Sequence, residues 1–176
     1  DNTSVRKELG IKNDDVVVCH IGRFINAKNH NFLIDVAKEM INKDSKVKFI
    51  LVGVGDLKEN IKSKVKELGI EDNVHFLGIR EDIPNILNNS DLFILPSIYE
   101  GLGLVLLEAQ AAKVPCLVSE AIQPEVDLGV ELIKKLNLSD SVGIWAKEAN
   151  KLIDKSKGIN IDINAAVRKK NYDLNS

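Results

Sequence analysis

Short apolar runs alternate along this chain with longer stretches in which apolar residues recur every three or four positions. VVVCHI (residues 16–21), VKFILV (47–52), VHFL (74–77), LFIL (92–95) and PCLVS (115–119) read as strands, with a sixth over residues 131–136. Between them, Phe32, Leu33, Val36, Ala37, Met40 and Ile41 have helical spacing. Residues 60–68 predict a helix closed by Gly69, residues 83–88 a short helix, and a further helix runs from the glycine turn after the fourth strand to about Ala112. A last helix holds Val142, Trp145, Ala149 and Leu152, with Ser139 or Ser141 as its cap. From Lys155 onward the chain is polar and weakly patterned.

Strand and helix in repeated alternation, joined by short glycine-bearing connections, predict an α/β fold: a Rossmann-like parallel sheet of about six strands with helices on both faces. The 176 residues fit a single domain large enough to bury a substantial core. In such sheets ligands bind at the carboxyl ends of the strands, which selects the loops after Ile21, Val52, Leu77, Leu95 and Val118.

Charge narrows the partners. The 24 basic residues are interspersed with 26 acidic ones for a net charge of −2, which argues against broad nucleic-acid binding or a polybasic membrane patch. The two cysteines, Cys19 and Cys116, each lie in a strand-like run and read as buried reduced thiols. No CxxC pair or Cys/His cluster suggests zinc, and no metal site is expected. No apolar run reaches the length of a membrane span, and no signal peptide is apparent. The chain opens Asp1-Asn-Thr-Ser without methionine, so it is expected to be a piece of a longer protein.

The selected loops differ in the chemistry they offer. Gly22 leads into Arg23 and Lys28, a planar fork and a point charge suited to phosphate oxygens. Gly53-Val-Gly55 lacks the spacing of a dinucleotide fingerprint or a P-loop and reads as a tight strand-to-helix turn. Arg80, Glu81 and Asp82 read as surface charge, and His20, His30 and His75 as structural or surface residues. The stretch PSIYEGLGLVLLE (96–108) is more specific. Its glycines let backbone approach a ligand and leave N–H groups free at a helix start, which favours an anion. Glu100 at the lip of that turn suits hydroxyls beside the anion. Glu108 either faces water on an amphipathic helix or lies buried, where it needs a partner such as a sugar diol. Cations, a helix start and two carboxylates together describe a nucleotide-sugar pocket.

These segments resemble the carboxy-terminal, donor-binding domain of retaining glycosyltransferases of the GT-B fold, family 4 (glycosyl transferases group 1). The resemblance rests on GRFINAKNHNFLIDVAKEM, on the stretch from FILVGVGD through VHFLGIRED to PCLVS, and on the E-x7-E pattern of Glu100 and Glu108, in family order over about residues 1–120. It implies one half of a GT-B fold, an amino-terminal acceptor domain that this chain lacks, and inactivity of this piece by itself. It implies a nucleoside-diphosphate sugar donor, most readily UDP, with transfer to a hydroxyl acceptor without a cofactor or divalent metal. By position, Arg23, Lys28 and Glu100 are implied as catalytic. Gly22, Gly101, Leu102, Gly103 and Leu104 present backbone to phosphates and sugar, Glu108 holds the ribose, and backbone at Ile79 and Arg80 meets the base. Bacterial polysaccharide, capsule or glycolipid synthesis is the implied setting. The implied location is cytoplasmic and peripheral at the inner membrane face, reached through the missing domain. Leu102 departs from a common Phe, Lys113 from Gly at a helix end, and Asn29 from Gly after the lysine. A non-catalytic nucleotide-sugar module and a GT-B sugar-nucleotide epimerase are the alternatives.

Overall fold

The computed structural model describes residues 4–156. In chain order the elements are α1 (Val5–Leu9), β1 (Val16–Ile21), α2 (His30–Lys43), β2 (Val47–Val52), α3 (Lys58–Glu67), β3 (Val74–Gly78), α4 (Ile83–Asn88), β4 (Leu92–Leu95), α5 (Val105–Ala111), β5 (Cys116–Ser119), β6 (Ile133–Leu136) and α6 (Val142–Ser156). The six strands form one parallel sheet in the order β3-β2-β1-β4-β5-β6. The order reverses direction between β1 and β4, the place where a doubly wound sheet opens a crevice for ligands.

The central strands are almost wholly apolar because helices cover both faces, with His20, Lys48 and Ser119 as the exceptions, whereas the edge strand β6 (IKKL) exposes Lys134 and Lys135. One face packs Val18, Phe49, Leu51, Ile94 and Leu117 against residues of α2, α3 and α6. The other packs Val17, Cys19, Ile50, Phe93 and Val118 against α1, α4 and α5. Alternation along the central strands β1, β2, β4 and β5 therefore divides two cores rather than a core from solvent. Both cysteines are buried free thiols, and burial pushes Cys19 up to about 12.

Local chemistry fixes the element ends. Gly69 adopts φ 72 just past α3, as expected. Lys113 holds φ 63 after α5, a left-handed cost of roughly 1 kcal/mol. Ser141 caps α6, its Oγ accepting from the Ile144 N–H at 3.2 Å. Trp145 is fully buried, meets Phe32 edge-to-face at 5.2 Å and donates from Nε1 to the Asn137 carbonyl, locking α6 onto α2. The strand expected from residue 131 begins at Ile133, β5 begins at Cys116 rather than Pro115, and β3 extends to Gly78. The polar tail beyond residue 156 lies outside the described residues.

Candidate functional site

The tips of β1, β2 and β3 are stitched together by backbone. The Gly22 N–H donates to the Val52 carbonyl at 3.0 Å, Phe24 N–H to Val54 at 3.0 Å, and Gly53 N–H to Gly78 at 2.8 Å. A Cβ on Gly53, whose φ is 134, would overlap the Gly22 carbonyl oxygen. The Gly53-Val-Gly55 pair thus lets two loops approach backbone to backbone, which bears out its reading as a tight turn.

The loop after β1 is held to the loop after β4. The Ala27 carbonyl accepts from the Ile98 N–H at 2.8 Å and the Tyr99 N–H at 3.4 Å, and Asn29 Nδ2 donates to the Pro96 carbonyl at 3.0 Å. Asn29 takes φ 62, the left-handed conformation that makes glycine a natural alternative there. This docking brings Lys28 Nζ to 2.7 Å from both carboxylate oxygens of Glu100. Ser97 Oγ donates to the same carboxylate at 2.9 Å, while Ser119 Oγ donates to the Ser97 carbonyl at 2.5 Å.

Sequence reasoning places Lys28 on phosphate and Glu100 on hydroxyls as separate groups. In the structure the two side chains form one ion pair. Glu100 is only 9% exposed, and a carboxylate that deep requires a cation and donors. Lys28 keeps one of its three N–H groups beyond the two that engage Glu100. Ser97 is a site residue that the sequence signals only through its S-x-x-E spacing to Glu100. Arg23 is exposed, and its side chain has no ion-pair or hydrogen-bond partner among the described residues.

The turn before α5 matches the expected geometry. Gly101, Leu102 and Leu104 are exposed, and Gly103 adopts φ 62. The N–H groups of Gly101, Leu102, Gly103, Leu104 and Val105 donate to no carbonyl among the described residues. The Glu108 side chain is exposed rather than buried and has no partner among the described residues. Leu106, Ala109 and Gln110 take the inward face of α5, and Leu104, Glu108 and Ala111 form its outer stripe. Glu108 borders an open cavity of about 290 Å³ between α4 and α5, lined also by Pro84, Leu87, Asn88, Ala111 and Ala112. Gln110, buried, anchors the following segment through Val126 and Leu128.

Ile79 is 74% exposed at the end of β3. Arg80 is not free surface charge, as its guanidinium binds Asp82 at 2.8 Å and Glu8 of α1 at 3.0 Å. These bonds raise Arg80 above its ordinary range and hold Asp82 well below that of a carboxylate. His20 and His30 are buried rather than at the surface, packed edge-to-face at 4.6 Å, with Phe24 stacked on His30 at 4.0 Å. Burial, then His30 and Lys28, push His20 far down, and burial followed by Lys28 pushes His30 to about 4. Both rings are neutral supports beneath the Arg23–Lys28 loop. Among the described residues no three His, Cys, Asp or Glu side chains gather as a metal-ligand set, and no helix is long and apolar enough to cross a membrane.

The family of glycosyl transferases group 1 matches residues 1–131. The UDP-Gal:alpha-D-GlcNAc-diphosphoundecaprenol alpha-1,3-galactosyltransferase of Escherichia coli is 38% identical over 116 residues, covering 64% of this chain and 30% of that protein. The chain spans 30% to 44% of the length of three such curated relatives. In fold it is similar to HepE of Anabaena in complex with UDP-glucose, with TM-score 0.73 at 24% identity over 97% of this chain and 51% of that one. It is also similar to the C-terminal domain of a Francisella tularensis glycosyl transferase group 1 protein, with TM-score 0.67 at 24% identity over 90% of this chain and 83% of that one. The match over three quarters of the sequence shows that the chain belongs to the glycosyl transferases group 1 family, with the fold of a GT-B carboxy-terminal domain.

Proposed function

We propose that this chain is the donor-binding half of a retaining, family 4 glycosyltransferase. It takes a nucleoside-diphosphate sugar, with UDP as the favoured nucleotide, and works with an amino-terminal acceptor domain. The observation that carries this reading is the convergence, at the β1–β4 reversal, of Arg23, the Lys28–Glu100 pair and the free N–H groups of the Gly101–Gly103 turn. The UDP donor named for the Escherichia coli relative and the UDP-glucose held by HepE support the choice of nucleotide.

In this reading the diphosphate lies between Arg23, the remaining Lys28 N–H and the turn's backbone donors. Glu100 fixes Lys28 and faces the sugar hydroxyls, while Glu108 accepts from the ribose hydroxyls. The bond between the sugar's anomeric carbon and the diphosphate oxygen breaks, and a bond to the acceptor oxygen forms on the same face. The acceptor's proton leaves with the diphosphate. Donors fixed in advance around the departing charge stabilise it without reorganisation at the moment of reaction. Arg23 and Lys28 supply positive charge in the place of a divalent metal. The whole protein acts on a hydroxyl acceptor in polysaccharide, capsule or glycolipid synthesis, at the cytoplasmic face of a membrane.

Isothermal titration with UDP, GDP and ADP sugars tests the reading. Saturable binding of at least one donor, weakened at least tenfold in Arg23→Ala and in Glu108→Ala, is the expected result. Absence of binding by every donor, or wild-type affinity in both variants, would sink it.

A further inference from the structure

The cations at the carboxyl ends of the strands are not equally available. Lys28 is engaged by Glu100, and Arg80 by Asp82 and Glu8. The side chains of Arg23 and Lys58 have no partner among the described residues. Lys58 is the first residue of α3, and its N–H donates to the Gly55 carbonyl, inside the glycine turn that packs on the β1 loop. Its half-buried side chain reaches across the tip of β3, where Nζ lies 4.0 Å from the position a Cβ would take on Gly78. Gly78 has φ 69 and no side chain, so the ammonium faces backbone beside the exposed Ile79.

Gly22, Gly53 and Gly78 form a row across the tips of β1, β2 and β3. Neighbouring strands are about 4.8 Å apart, so the end of β3 lies roughly 10 Å from that of β1. A diphosphate held at the β1–β4 reversal therefore leaves Lys58 to a different part of the same ligand. An ammonium has three donors and no acceptor, so the group it meets must present an acceptor oxygen or nitrogen. Guanine carries O6 where adenine carries its amino donor, and uracil presents two carbonyl oxygens, whereas adenine offers an ammonium only ring nitrogens.

We infer that Lys58 is a specificity-determining residue of the donor site, donating to a carbonyl oxygen of the nucleotide base and selecting uracil or guanine over adenine. The inference rests on the proposed donor-binding reading and extends it to the class of base. It gives Lys58 a role that neither the loop motif nor the paired glutamates supply.

The test is calorimetric titration of UDP, GDP, ADP and inorganic pyrophosphate into the wild-type chain and into Lys58→Met and Lys58→Gln. The wild type binds UDP or GDP about tenfold more tightly than ADP, the effect of one charge-assisted hydrogen bond. Lys58→Met loses that preference while ADP and pyrophosphate affinities stay within about twofold, on the same scale of one hydrogen bond. Lys58→Gln, which keeps an N–H donor without the charge, retains part of it. An equal drop for all four ligands in Lys58→Met would make Lys58 a phosphate cation and overturn the inference. So would unchanged affinities in that variant, or a wild type that binds ADP as tightly as UDP and GDP. Failure of every nucleotide to bind the wild type would instead overturn the donor-site reading itself. Far-ultraviolet circular dichroism of both variants, matching the wild type, shows that the fold is intact.

Discussion

Glu100 and Glu108 belong to one motif, yet they occupy opposite physical situations. Glu100 is almost buried and already committed to Lys28 and Ser97, whereas Glu108 is exposed and uncommitted among the described residues. The first half of the site is rigid before any ligand arrives, held by the Ala27 and Asn29 bonds between two loops. The second half is an open stripe beside the α4–α5 cavity. Spacing along a sequence conveys two carboxylates. It does not convey that one is a strut and the other is a free acceptor.

The most severe way to break the fixed half is at its foundation. Gly53→Ala drives a Cβ into the Gly22 carbonyl at a backbone φ of 134, and should cost more than about 3 kcal/mol or prevent folding. Gly101→Ala, with nothing within 4 Å of its Cβ and no left-handed φ, should be nearly neutral to stability. Urea denaturation of both variants checks the contrast, and equal losses would contradict the close-approach argument.

Glu100→Gln comes next. It leaves the Lys28 ammonium without its counter-charge, and stability should fall by about 2 kcal/mol, less than for a fully buried pair because Lys28 is 19% exposed. Glu108→Gln should change stability by no more than about 0.5 kcal/mol. The same denaturation measurement distinguishes them, and a Glu108 variant as unstable as the Glu100 variant would erase the comparison.

The histidine floor under the fixed half gives a pH signature. His30 has its folded value lowered to about 4, so the unfolded chain binds its proton first. That contribution to stability is fully present above about pH 6.5 and is lost as pH falls from there through 4. Between pH 7 and pH 5 the loss from His30 should be about 2 kcal/mol, with His20 adding in the same direction. Replacing His30 with Phe should flatten this window while leaving the carboxylate-driven loss at lower pH. A stability profile unchanged by His30→Phe would refute neutral burial of the ring.

Most of the fold is legible in the sequence because both sheet faces are covered. LFIL is apolar throughout, VVVCHI and VKFILV are apolar apart from His20 and Lys48, and the helical spacing of Leu33, Val36, Ala37 and Met40 coincides with the buried side of α2. What is not legible depends on strand order. Lys28 and Glu100 are 72 residues apart and meet only because β1 neighbours β4, which alternation of elements does not dictate. The burial of His30 is hidden for a similar reason. A histidine at a helix start leaves structural and surface roles both open until Phe24 and His20 are seen packed against it. Arg80 is only half legible, since Asp82 is two residues away in sequence but its second partner, Glu8, comes from α1, 72 residues away.

The central claim is that a nucleoside diphosphate spans the fixed and open halves, and a crystal structure of the chain with UDP-glucose tests it most directly. The account predicts the diphosphate beside Arg23 and the Gly101–Gly103 turn, with the ribose hydroxyls on Glu108 and the Lys28–Glu100 pair intact. A nucleotide bound away from the β1–β4 reversal, or a ribose that leaves Glu108 in solvent, would contradict it.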